Sequence, residues 1–548
     1  SGGDPAHITD LTREDFLDFH KKYYHPSNSY IYLYGDMDAV SELTFIDENY
    51  LSNFDYLEID SSLKEQSAFS EPQYMSDFYS LSDADDEKDN TYLSYNVTIG
   101  KSTDKTLCTA LEVLDSALVG MPGAPVKKAL IDSGLCKDVF SSVDTGILQP
   151  QFSLVAKNAN ADDEDKFINI INDTIKQIVS DGINKKSLLA AINNFEFKHK
   201  EASFGRYPKG LMLGLTAFET WLYDDAEALS LFSMNEVYEE LKAKVDTDYF
   251  EQILQTYILD NNHKTFVKLC PKKGLNTLRE NEEKEKLEAY KSTLGEEDIE
   301  NIAQLARHLK EYQDSEDSKE ALETIPLLEI SDIEKKARRI NNKYSVCENI
   351  DVVSHDIFTN GISYISLNFD ISDIEYEKLP TVAFLCEIFK YIDTENYTYN
   401  ELASEIDIHT GGIGFTTSVI NKKGLDEYVT HFVVNAKMFD GKVTKGMELI
   451  EEILFTTKLD DKKRLREIVA EVRSNIKNDM VASGHVTAAG RAVSYISPIG
   501  VVKELTEGMD YYNYLSQLDD DFDNQYDTLV ENLKTVLSEI LRRDSLLV

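Results

Sequence analysis

The chain has 548 residues, 42 % of them hydrophobic, enough for about three or four cored domains at roughly 150 residues each. Its 99 acidic against 56 basic side chains leave a formal charge of −43. That field excludes a protein held to nucleic acid by phosphate neutralisation and disfavours anionic membrane surfaces, while neutral or cationic partners such as peptides fit it.

The first residues, SGGDPAHITDLTRED, lack the basic start and apolar core of a signal peptide. With no initiator Met, the chain reads as an internal fragment of a longer polypeptide. No apolar stretch reaches the roughly 20 residues a membrane helix needs. Cys108, Cys136, Cys270, Cys347 and Cys386 are far apart and form no CxxC pair. They read as small apolar residues of a reducing cytoplasmic or organelle-matrix protein, not a secreted one.

The spacing of Phe16, Phe19, His20 and Tyr23 predicts a helix. Thr12 is placed to cap it, Asp15 to close a capping box, and Pro26 to stop the run. The aromatic and β-branched run Ser29–Asp36 reads as a strand. About 45 residues cannot bury a core, so 1–45 reads as the end of a unit lying upstream.

A second unit, 46–272, starts with two strands (PQYMSDFYSL and NTYLSYNVTIG) joined by the acidic turn DADDEKD. A helix from Asp104 to about Leu118, the break VGMPGAP, a strand QFSLVAKNAN and an amphipathic helix ended by Gly182 follow. Helices then run from Asn184 to about Tyr257, and HKTFVKLCP closes the unit as a strand.

The charge-rich stretch within 273–330 carries Leu and Ile at helical spacing and is split by Gly295. It reads as a helical hairpin and hinge, its two arms packed through Leu278, Leu287, Ile299, Ile302, Leu305 and Leu309. From 331 to 548 the order of the second unit repeats, and Asn360-Gly361 between alternating strands signals a hairpin. Hairpins followed by helix pairs argue an α+β fold with largely antiparallel sheets, repeated over about 200 residues.

Ten histidines stand in the chain, and no two are three or four residues apart, so no helix offers a paired-imidazole clamp for zinc. There is no GxSxG elbow, no phosphate-binding glycine loop and no cysteine nucleophile signature. The present residues carry no catalytic and no metal-binding motif. Trp221, the sole tryptophan, reads as core.

Several segments together resemble the presequence-protease branch of the pitrilysin/insulin-degrading zinc metallopeptidases. They are SGGDP, FHKKYYHPSNS, LYGD, GRYPKGL (205–211), NHKTFVKLCP (262–271), HTGGIGFTTS (409–418) and SGHVTAAGRAVSYISPIG (483–500). The resemblance implies four related α+β units in two halves joined by a helical hairpin around a peptide-filled chamber. It also implies an inverted HxxEH zinc motif in the first unit.

On that pattern this chain resembles the end of unit one, all of unit two, the hairpin and all of an inactive unit three. Zinc would belong to the full-length parent and not to this chain. The implied partners are oligopeptide substrates and the flanking units of the same polypeptide, with no nucleic acid or membrane. Unit three has Phe384, Glu387 and Ile388 where unit one would carry HxxEH, keeping the glutamate and losing both imidazoles.

Arg206, Tyr207 and Lys209 are candidates for chamber-wall contacts with peptide, set against a simple turn shaped by Pro208 and Gly210. His485 and Arg491 are candidates for the same role, set against a buried, hydrogen-bonded histidine. The implied function is a zinc-dependent endopeptidase for unstructured oligopeptides, to which this piece adds wall and hinge. The alternative is a non-catalytic binding or scaffolding protein of the same fold.

Overall fold

The computed structural model describes residues 3–121, 123–337, 339–389, 391–422 and 427–548. Eleven strands are described: β1 (Gln73–Leu81), β2 (Thr91–Thr98), β3 (Asp138–Asp144), β4 (Gln151–Ala159), β5 (Lys264–Lys273), β6 (Asn342–Cys347), β7 (Ile350–His355), β8 (Ile362–Asp370), β9 (Ile413–Asn421), β10 (Tyr428–Phe439) and β11 (Leu546–Leu547). They form two sheets, β1-β5-β2-β4-β3 and β6-β7-β11-β8-β10-β9.

The second sheet repeats the first in order and direction once its extra edge strand β6 is set aside. β5 runs parallel to β1 and antiparallel to β2, and β11 runs parallel to β7 and antiparallel to β8. Both sheets then continue antiparallel through β4 to β3 and through β10 to β9. The repeated α+β unit is therefore present.

Two of its strand pairings differ from expectation. The acidic turn after β1 and the Asn360-Gly361 turn after β7 do not close hairpins, because the last strand of each unit inserts between the two. Alternation identifies strands but says nothing about which distant segment pairs with them. A two-residue hairpin does occur at Glu348-Asn349, both at positive φ, between β6 and β7.

Each sheet carries its own core. In β2 every second residue (Thr91, Leu93, Tyr95, Val97) points inward, against Leu107, Leu111 and Leu114 of the helix Lys105–Asp115. Asp104 caps that helix by accepting from the Leu107 amide at 3.0 Å. Ile171 and Ile175 of the helix Glu164–Asp181 complete this side, and Gly182, at φ +88°, ends that helix as expected. The apolar run 105–132 reaches membrane-helix composition, yet 65 % of it is buried in the fold.

The first helix forms over Arg13–Tyr23 with the expected reciprocal cap, Asp15 N–H donating to Thr12 Oγ1 at 3.1 Å and Thr12 N–H to Asp15 Oδ2 at 3.0 Å. The run after it is not a strand: Ser29–Asp36 joins neither sheet. Its alternation instead lays Tyr30, Tyr32 and Tyr34 along the helix Lys209–Trp221. A Cβ at Gly210 would strike the Tyr34 ring, and one at Gly214 would come within 2.8 Å of the Tyr32 ring. Tyr30 meets Trp221 edge-on at 4.8 Å, so this tryptophan is half-buried at a junction and not in a core.

The charge-rich stretch forms two helices, Leu275–Ser292 and Glu296–Asp314, broken at Gly295. Their apolar stripe is uncovered: all six stripe residues are exposed, Leu305 to 69 %. Spacing found the stripe, but the two arms do not bury it against each other. Direct packing between the two sheet-bearing units holds them in register instead.

Candidate functional site

The helix Leu379–Ile388 occupies the position where the resemblance would place a zinc helix. Phe384 and Ile388 are both fully buried, packed with Leu367, Phe432 and Val434 in the second core. Glu387 is exposed on the opposite side. Burial pushes the Cys386 thiol up, with the Glu387 charge acting in the same direction. Neither Phe384 nor Ile388 offers a lone pair, and no group of His, Cys, Asp and Glu among the described residues suits a metal ion. These residues do not fit zinc.

Arg206, Tyr207 and Lys209 sit on the turn entering the helix Lys209–Trp221, where Gly205 takes φ +61°. Pro208 precedes the first helical residue, and Gly210 makes room for Tyr34. The turn therefore accounts for the glycines and the proline but not for the three side chains, which all face solvent, Tyr207 to 66 %.

His485 and Arg491 lie on the helix Gly484–Ser494. His485 is exposed, not buried; one helical face of this short, glycine-bounded element has no core to enter. Arg491 is engaged within the fold, donating from Nη1 to Glu504 Oε1 and pairing with Asp510 Oδ1, both at 2.9 Å. Glu504 is only 4 % exposed and also accepts from the Met509 amide at 3.0 Å. Arg491 thus neutralises a buried carboxylate at a helix junction.

The segment HTGGIGFTTS is explained by the seam between the two units. The helix Lys185–Glu201 packs against the helix Tyr399–His409. Gly411 follows the latter, and any Cβ there would collide with the ring of Phe197, a residue 2 % exposed. Phe197 in turn meets Phe439 at 5.1 Å, with the Lys437 ammonium 5.4 Å above its ring.

Polar contacts flank this apolar plug. Lys437 Nζ donates to Glu201 Oε2 at 2.7 Å, Tyr364 Oη donates to Glu201 Oε1 at 3.0 Å, and Lys186 pairs with Glu405 at 3.1 Å. Asn360, expected in a hairpin, instead donates its amide to the Lys200 carbonyl across the seam at 2.9 Å. Glu196 is buried between Lys200 (2.6 Å) and Lys242 (2.7 Å). Burial opposes its charge, but these two ammonium groups prevail and hold the carboxyl below its ordinary range.

Sequence reasoning missed Phe197, Glu196, Glu201 and Lys437. The one available signal was the doublet Gly411-Gly412, where Gly412 needs φ +129° and Gly411 needs the absence of a side chain. What Gly411 approaches lies more than 200 residues away.

Comparison with known proteins agrees with this organisation. The family described as Peptidase M16 inactive domain matches residues 10–195, and the family described as associated with subfamily C of the same peptidases matches residues 269–518. Protein HypA of Clostridium perfringens is 37 % identical over all of this chain and 56 % of its own length. Presequence protease 1, chloroplastic/mitochondrial, of Arabidopsis thaliana is 31 % identical over all of this chain and 51 % of its own. The mitochondrial presequence protease of Xenopus laevis is 27 % identical over 94 % of this chain and 50 % of its own. The chain spans about half the length of the relatives it matches. With both halves matched by M16 families and the whole aligned to these relatives, the chain belongs to the presequence-protease branch of the pitrilysin-like M16 peptidases.

Proposed function

We propose that this chain supplies chamber wall and connecting structure to a zinc-dependent endopeptidase that degrades unstructured oligopeptides. Its alignment from end to end with about half of a presequence protease carries this reading. In it, residues 1–45 complete a catalytic unit, 46–272 form a second unit, 273–330 the connecting hairpin, and 331–548 an inactive third unit. Zinc belongs to the parent polypeptide outside these residues. The apolar side chains exposed on the first helices (Phe16, Phe19, Val40, Phe45) and at Leu327, Leu328 and Phe358 suit faces covered by further units of that polypeptide.

Arg206, Tyr207, Lys209 and His485 are then exposed groups able to touch peptide, and Arg491 positions the helix that carries His485. The compartment is the cytoplasm or an organelle matrix. The full-length polypeptide is expected to cleave a quenched fluorogenic peptide with chelator-sensitive turnover, and the 548-residue chain to do neither that nor bind stoichiometric zinc. One zinc per chain with turnover in the short form would overturn the reading.

A further inference from the structure

Where the helix Lys185–Glu201 meets the Asn360-Gly361 turn, the seam opens into a groove of about 680 Å³. Both units contribute: Lys200, Lys209, Leu213 and Phe232 from one side, Gly361 and Phe439 from the other. In a chain with 99 acidic side chains, Asp440 is the one carboxylate lining it among the described residues, and its Oδ1 already accepts from Ser363 Oγ at 2.7 Å. Lys200 is taken by Glu196 and lies over the Phe439 ring at 4.8 Å. Lys209 has no ion-pair partner among the described residues. The groove also holds His199, which burial, with the nearby Lys200 charge adding to it, keeps below its ordinary range and so uncharged at neutral pH.

One free ammonium beside apolar walls is the recognition chemistry of a carboxylate attached to an apolar chain. A multiply charged phosphate polymer would meet the −43 field of the whole chain with a single free cation to offset it. We propose that this seam groove binds a peptide carboxylate. Lys209 is its ion partner, and Leu213, Phe232 and Phe439 seat the neighbouring side chain. The carboxylate comes from the peptide C-terminus or from an acidic side chain. The proposal rests on the reading of this chain as peptide-binding and adds the group that is recognised and where. It also joins the units functionally, because the walls come together only when the Phe197–Gly411 seam is closed.

The test is fluorescence anisotropy of the full chain with three labelled hexapeptides ending in leucine: a free acid, its C-terminal amide, and an amide with one internal aspartate. The free acid is expected to bind about tenfold tighter than the plain amide, the ratio a charge-assisted hydrogen bond supplies. Lys209→Gln, on an exposed side chain with no partner to lose, is expected to bring that ratio below about threefold. The aspartate peptide binding like the free acid assigns side-chain carboxylates as ligands too, and binding like the plain amide assigns the terminus alone. Either supports the site. Equal binding of acid and amide, or an undiminished ratio in Lys209→Gln, overturns the proposal and leaves the peptide-binding reading standing. Failure of all three peptides to bind overturns both.

Discussion

Phe197 and Gly411 give a direct measure of how the two units are held. Phe197→Ala removes a ring that is 2 % exposed and wedged between Gly411 and Phe439, a loss on the order of 3–5 kcal/mol with the cavity included. Gly411→Ala drives a Cβ into that ring, costing about 1–3 kcal/mol because neither neighbour has room to retreat. In the double variant the new methyl enters the space that the ring vacated. It should therefore cost less than the sum of the single changes, by about 1–3 kcal/mol. Urea titration followed by circular dichroism supplies the three differences, and small-angle scattering reports whether the units separate. The cores around Tyr95 and Phe432 lie outside the seam, so helix content in the absence of urea should stay constant while the radius of gyration of the single variants rises. Strict additivity, or unchanged scattering with lost helix content, would refute the seam as the clamp.

Glu112 is pushed up to about 7 by burial, with Glu219 and Asp115 adding to it, from an ordinary value of 4.5. Its stabilising contribution is full below the ordinary value and is lost as pH rises through about 7. Glu112→Gln should therefore be the more stable form at pH 8, by about 3 kcal/mol, and the two should converge near pH 4 in urea midpoints. Gly210→Val should displace Tyr34 from the helix that ends at Trp221, and the emission of this single tryptophan should shift to the red; an unmoved spectrum would detach the tyrosine ladder from that helix. Leu305→Asp should leave the urea midpoint within about 0.5 kcal/mol and the radius of gyration unchanged, because Leu305 is 69 % exposed; a measurable expansion would restore the hinge.

Local order was legible in the residues themselves. Thr12 and Asp15 capped their helix, Gly182 and Gly295 ended theirs, the alternation in β2 placed Leu93, Tyr95 and Val97 inward, and the repeated element order gave two units of one topology. Each depends on interactions within a few residues, or on a period set by the backbone. Among the candidate site residues, Phe384 and Ile388 were legible as non-ligands because no aliphatic or phenyl group has a lone pair to donate.

Tertiary structure alone decided which neighbours those elements found. β5 and β11 insert between strands that look like hairpin partners, since ladder bonds carry no memory of chain distance. The Ser29–Asp36 run pairs with no strand, because the glycine-floored helix Lys209–Trp221 takes its tyrosines. The apolar stripe of the two charged helices has the right period but no facing surface. Arg491 looked free for substrate until Glu504 and Asp510 were brought against it, and Gly411 looked like part of a turn until Phe197 arrived from over 200 residues away. Periodicity states that a face must be covered; only the fold determines what covers it.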